Sequence, residues 1–245
     1  MKDMKVEIWS DIACPFCYIG KAHFEKALAS FENAGEIEVE YRAYQLDPEM
    51  NFEKGQTAFS YLEKRKGMTM TQVQQMTGQV EQMAANAGLK MDFKTNIPAN
   101  TLNAHRLIQL AIQERKEKAV IEALFEAHFT NGKNIEDKEE LKTIGVNSGL
   151  DAARVTEVLN SDEFAYEVKQ DIMESRSFGV NGVPFFVFNR KYAVSGAQPV
   201  QAFTNAIENS FQEWRKDNPK IVHLNVSDGV ACTDDGCEIL KQKVN

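Results

Sequence analysis

Cys14-Pro15-Phe16-Cys17 constrains this chain more than any other segment, because of what stands on either side of it. Before it, Val6, Ile8 and Trp9 read as a short strand running on to Ile12. After it, Cys17, Gly20, Phe24, Ala27 and Phe31 recur at three-to-four spacing, the stripe of a helix with one buried face. The dithiol is therefore expected at an exposed helix N-terminus. Unpaired N–H groups and the positive end of the helix dipole favour a thiolate at Cys14. Pro15 suits the first turn, where its missing N–H costs nothing. Cys17 lies about one turn on, within reach of a mixed disulfide formed at Cys14. The same spacing serves zinc, and four cysteines in two pairs make an all-thiolate site conceivable; the strand before and the helix after favour exchange chemistry, so no metal is expected.

The first helix is expected to stop at Gly35, and Ile37 to Tyr44 then alternates apolar with polar as a half-buried strand does. From 49 to 177 strand character nearly vanishes and helical periodicity takes over. Val73, Met76, Val80, Met83 and Ala87 trace one apolar face, with Gly88 as its stop; Leu102, Leu107, Ile108, Ala111 and Ile112 trace another. Further helices are expected near 117–130, 137–148, 151–160 and 162–177, with Asp137, Asp151 and Asp162 as acidic caps. Met68, Met70, Met76, Met83 and Met91 are expected to pack the core of this helical part.

Strand character returns at Val183 to Phe188, turns at Asn189-Arg190-Lys191 and returns through Tyr192 to Ser195. A closing helix from Pro199 to Lys216 turns Phe203, Ile207, Phe211 and Trp214 inward. The expected organisation is thus 1–48, an all-helical insertion at 49–177, a second part of the sheet unit at 178–218, and a tail at 219–245 carrying Cys232 and Cys237 in a C-x4-C pair. Without the insertion the order is β-α-β then β-β-α, an α/β arrangement that resembles the thioredoxin fold.

Composition narrows the function classes. With 245 residues, 43% of them hydrophobic, the chain can bury a real core, and a net charge of −8 leaves no basic surplus for nucleic acid. No window approaches the ~20 apolar residues of a membrane span. Met1 to Glu7 carries four charges and no apolar stretch of signal-peptide length, so a cytoplasmic location is expected.

Three segments carry a family resemblance. They are Trp9 to Lys21 around the dithiol, Asn100-Thr101-Leu102-Asn103-Ala104-His105-Arg106-Leu107, and Gly179-Val180-Asn181-Gly182-Val183-Pro184-Phe185-Phe186-Val187. Together they resemble cytosolic DsbA-like thiol oxidoreductases of the FrnE type. The resemblance implies a thioredoxin fold with a helical insertion, Cys14 as nucleophile, Cys17 as resolving thiol, and Pro184 in a cis bond facing them. Pro15, Phe16 and Val183 would support the site, the Val183 backbone pairing with an extended substrate, and Asn100 would touch that substrate. Cys232 and Cys237 resemble the C-x4-C of some FrnE-type proteins, as an auxiliary redox pair or a small structural disulfide.

No cofactor is implied. The implied partners are disulfide-containing proteins or small thiols and an electron donor the residues do not name, for a monomer or a homodimer. Phe16 stands where periplasmic relatives place histidine, so the pair is expected to be less oxidising, in the reductase or isomerase range. Glutathione-dependent isomerases and transferases of the same superfamily usually carry serine where Cys14 stands, and a peptide-binding holdase is a further alternative. His23, His128 and His223 show no partner pattern. Glu7 is read either as a buried proton acceptor for Cys17 or as a solvent-facing strand residue.

Overall fold

The computed structural model describes residues 3–51, 53 and 55–220, together with the backbone of 230–233 and 236–239. Strand β1 (Met4–Ser10) leads through the dithiol into helix α1 (Pro15–Ala29), and β2 (Ile37–Ala43) returns parallel to β1. After the insertion, β3 (Phe185–Phe188) pairs antiparallel with β1, and β4 (Tyr192–Ser195) pairs antiparallel with β3. The sheet order is β2-β1-β3-β4, and the elements follow one another as β-α-β then β-β-α, the succession expected from the sequence. β1 is central and nearly all buried, which is why its apolar residues form a run as much as an alternation.

Helix α9 (Val200–Asp217) packs on α1 over the sheet. Phe24 of α1 meets Phe186 and Phe203 at ring-centroid distances of 5.4 and 5.9 Å, and Phe186 meets Phe203 at 4.6 Å. Such tilted and edge-on aromatic pairs add to the burial that holds both helices down. The β3–β4 turn places Asn189 and Arg190 at φ 49° and 54°, a left-handed conformation that asparagine tolerates better than arginine.

The insertion runs through α2 (Ala58–Lys66), α3 (Met70–Asn86), α4 (Leu102–Gln113), α5 (Glu117–Phe125), a π turn at Glu126–Thr130, α6 (Lys138–Asn147), α7 (Ala152–Leu159) and α8 (Ala165–Ser177). Asp137 and Asp151 cap α6 and α7 as expected, accepting the Glu139 and Arg154 amides at 2.8 and 2.9 Å. Asp162 does not cap α8. The N-cap is Phe164, held at φ 65°, because burying its ring outweighs the cap chemistry of a nearby carboxylate. Helix α1 ends at Ala29 and not at Gly35, since the Ser30 hydroxyl bonds back to the Ala27 carbonyl at 2.8 Å in place of a further turn. Helix α2 escapes the periodicity reading because only Ala58 among its residues is buried.

The buried face of α3 is Val73, Thr77, Val80 and Ala84, rotated away from Met76 and Met83. Thr77 answers its own hydroxyl on the Val73 carbonyl at 2.9 Å, so a polar residue can sit on the inward side against α1 and α2. Of the five methionines expected in the core, Met91 is buried, whereas Met70 and Met83 are exposed.

Asp171 of α8 ties the insertion to the sheet. Its carbonyl accepts the Trp9 indole N–H at 2.9 Å, and its carboxylate accepts Ala43 N, Gln109 Nε2 and Arg42 Nη1 at 3.0, 2.9 and 3.2 Å. Buried apolar side chains of both parts, Ile8, Phe24, Leu107, Leu124 and Phe125 among them, form one contiguous cluster. No helix among the described residues is long and apolar enough to cross a membrane. The backbone of β5 (Val230–Thr233) and β6 (Gly236–Ile239) pairs Cys232 opposite Cys237. The side chains of that pair, and the tail from 221 to 229, lie outside the described residues.

Candidate active site

β1 ends at Ser10, and the chain turns through Asp11, whose carbonyl accepts the Cys14 amide at 3.0 Å. Cys14 is the N-cap of α1 in an extended conformation, with Pro15 as the first helical residue, and its own carbonyl accepts the Cys17 amide at 3.0 Å. The Cys14 thiol donates to the Val183 carbonyl at 3.5 Å, next to the cis Val183–Pro184 bond. The structure thus brings Cys14, Cys17, Val183 and Pro184 together, 169 residues apart in sequence across the Cys14–Val183 contact. Phe16 stands at the rim, 39% exposed.

Gly20 seats the proline loop on α1. A Cβ at this position would lie 2.9 Å from Pro184 Cγ and 3.5 Å from Phe186 Cζ, closer than a proline ring yields cheaply. Gly78, in the exposed middle of α3, has nothing within 4 Å. Gly78→Ala is therefore expected to stabilise the fold by about 1 kcal/mol through helix propensity. Gly20→Ala sets the same gain against about 1–3 kcal/mol of overpacking and is expected to be neutral or destabilising. Urea unfolding of the two variants checks this, and equal gains at both positions would contradict the packing argument.

The helix start is less open than the sequence suggests, because both sulfurs belong to the contiguous apolar cluster. Cys14 retains 4% exposure and Cys17 1%. Burial, then the hydrogen bond shared with Cys14, push the Cys17 thiol well above its ordinary value, so it keeps its proton. Opposing them, the Asp11 N–H donates to Cys17 Sγ at 3.4 Å, and the Ser10 hydroxyl also favours the thiolate.

Asp11 is the site residue that the sequence reading missed. Its carboxylate is buried and accepts the Ala13 amide at 3.3 Å and the Leu46 amide at 2.7 Å, with His105 Nε2 at 3.3 Å from Oδ1. The signal was an aspartate three residues before the first cysteine, at a turn after a strand. His105 comes from α4, 94 residues away.

Two other expectations change. Glu7 is buried, but it is engaged by Arg42 at 3.0 Å and by Arg190 at 2.9 and 2.7 Å. Burial alone would raise its carboxyl, yet the two guanidiniums hold it below the ordinary carboxylate value, which leaves no proton acceptor for Cys17 there. Asn100 uses its side chain inside the protein: it accepts from Gln45 Nε2 and the Leu102 amide, and donates to the Pro48 and Met50 carbonyls. It fastens the segment whose Leu46 amide caps Asp11.

A paired thiol that caps a helix and faces the carbonyl before a cis proline, beside the central strand of a β-α-β/β-β-α sheet, defines a dithiol protein of thioredoxin architecture. Residues 5–208 match the DSBA-like thioredoxin domain, and the chain belongs to that family. A probable DsbA oxidoreductase from Streptomyces coelicolor is 38% identical, with a TM-score of 0.81 over 96% of this chain and 99% of that one. At the level of fold alone, a cytosolic disulfide reductase, DsbM from Pseudomonas aeruginosa, matches at 15% identity and TM-score 0.58 over 85% of this chain and 99% of that one. A 2-hydroxychromene-2-carboxylate isomerase matches at 14% and 0.62 over 88% and 98%.

Proposed function

We propose that this protein is a cytoplasmic thiol-disulfide oxidoreductase of the FrnE type that reduces or isomerises disulfides in proteins, with Cys14 as nucleophile and Cys17 as resolving thiol. The observation that carries the reading is the placement of Cys14 at the N-cap of α1, its sulfur on the Val183 carbonyl, with Cys17 one turn behind. The exposed ring of Phe16 and the Val183 backbone lie where an extended peptide would be held beside the sulfur. Pro15 opens the helix, Pro184 faces the pair, and Cys232 and Cys237 serve as an auxiliary pair that exchanges with it. The protein's partners are disulfide-containing proteins or small thiols.

Dithiothreitol-driven reduction of insulin tests the reading. Wild type is expected to shorten the lag before precipitation, and Cys14→Ser to return it to the rate of dithiothreitol alone. A wild-type protein with no effect, or a Cys14→Ser variant with full activity, would remove the proposal. Two other readings have one observation each. The Asn100-Thr101 and Ala104-His105-Arg106 segment supports a glutathione-dependent isomerase or transferase, whose activity would survive Cys17→Ser. Exposed Met70 and Met83 support a peptide-binding holdase, whose suppression of aggregation would survive loss of both thiols.

A further inference from the structure

In the proposed exchange Cys17 has to shed a proton before it can displace a product from Cys14, since the thiolate is the attacking species. Yet Cys17 is the more secluded sulfur, and the carboxylate on the neighbouring strand, Glu7, is held by two arginines. The proton therefore needs another acceptor inside the protein.

Three observations converge on one. Asp11, whose N–H reaches Cys17 Sγ, has its carboxylate 3.3 Å from His105 Nε2, and both side chains are buried. A cavity of about 10 Å³ is bordered by Ser10, Tyr41, Arg42, His105 and Gln109. That is roughly the space one water centre occupies; Ile12, Ala43, Ile108 and Ile121 make most of the wall apolar, and the few polar groups set into it are the ones a water would bridge. Arg42 Nε is buried without a hydrogen-bond partner in the protein among the described residues, as a donor to a cavity water would be. Ser10 joins the two ends: it lines the cavity and directly precedes Asp11, whose N–H reaches Cys17 Sγ.

We propose that Ser10, one water in this cavity and the Asp11–His105 pair form a proton relay, with His105 as the acceptor that deprotonates Cys17 in the resolving step. The proposal rests on Cys14 and Cys17 being an exchanging dithiol. In the first step the Cys14 thiolate attacks a substrate disulfide, forming a mixed disulfide and releasing one substrate thiolate. The Cys17 proton then passes through Ser10 and the water to His105, where the Asp11 carboxylate stabilises the imidazolium. The Cys17 thiolate attacks the Cys14 sulfur, the Cys14–Cys17 disulfide forms, and the second substrate thiolate leaves. Two electrons have moved from the dithiol to the substrate, and His105 returns its proton to the departing thiolate or to solvent.

The other titratable groups around His105 are Asp171 from α8 and Arg42 and Tyr41 from β2. His128, from the π turn near Asp11, is held down to about 4 by burial and stays neutral at the pH of the test.

The test uses the full chain with Cys232→Ser and Cys237→Ser, and a chromogenic aromatic disulfide that releases one coloured thiolate when Cys14 attacks and a second when Cys17 does. Stopped-flow absorbance separates the two releases. His105→Gln is expected to slow the second release relative to the first by roughly 100-fold at neutral pH, with the deficit closing as hydroxide replaces the relay at alkaline pH. Ser10→Ala is expected to slow it in the same direction and keeps the test alive if His105→Gln fails to fold. A second release within about twofold of wild type in both variants, with an unchanged pH profile, would overturn the relay while leaving the exchange reading intact. A wild-type protein with no first release would overturn both.

Discussion

Replacing Arg106 by alanine is expected to cost the folded state about 3–5 kcal/mol, because a buried guanidinium satisfies several acceptors at once. Arg106 Nε donates to the Glu163 carbonyl at 2.7 Å and Nη1 to Asn103 Oδ1 at 2.8 Å, while Nη2 serves the carbonyls of Val158 and Ser161. These carbonyls belong to the end of α7 and to the turn that delivers Phe164 into its left-handed conformation. Alanine leaves them without a donor in a region where water enters poorly, each such group costing about 1–3 kcal/mol. Arg106→Lys is expected to recover only part of the loss, since an ammonium cannot span the fork. Urea unfolding at neutral pH measures both, and a loss below about 1 kcal/mol for alanine would show that the turn is held by other contacts.

The second large effect is a dependence on pH through His128. The ring is fully buried with Nδ1 unpartnered among the described residues, and burial pushes it down to about 4 from an ordinary value of 6.5. Between those values the unfolded chain binds a proton that the folded chain refuses, so stability falls as the pH drops from 6.5 towards 4 and is fully restored above that window. The deficit is expected to be roughly 2 kcal/mol at pH 5 and roughly 3 kcal/mol below pH 4. His128→Leu keeps the backbone carbonyl that accepts Asn96 Nδ2 at 2.8 Å and removes the titration. The difference between wild type and this variant should therefore shrink or reverse towards acid pH in chemical unfolding. A difference that stays constant from pH 7.5 to pH 5 would mean that the ring is protonated in place, with a partner for its charge.

What was legible in the chain was local. The dithiol, the strand before it, the stripe of α1 and the β3–β4 turn are short-range patterns, and the caps at Asp137 and Asp151 are chemistry between near neighbours. The fold class followed from those pieces because few arrangements join β-α-β to β-β-α. The illegible parts depended on distant partners. Whether Glu7 faces a sulfur or an arginine is decided by Arg190, 183 residues away, and Asp11 acquires its meaning from His105 on another helix. The face of α3 turned because Thr77 and Ala84 are small enough to lie against α1 and α2, whereas Met76 and Met83 look more apolar on paper. Phe164 replaced Asp162 at the start of α8 because one ring had somewhere to go.

The unbroken cluster that runs from the sheet into the inserted helices has a mechanical meaning. A chain knitted in this way has no seam along which the two portions could separate without baring oily surface on both. Thermal agitation strong enough to loosen the helices would reach the sulfur loop in the same event. The inserted helices serve as the backing against which that loop keeps its shape.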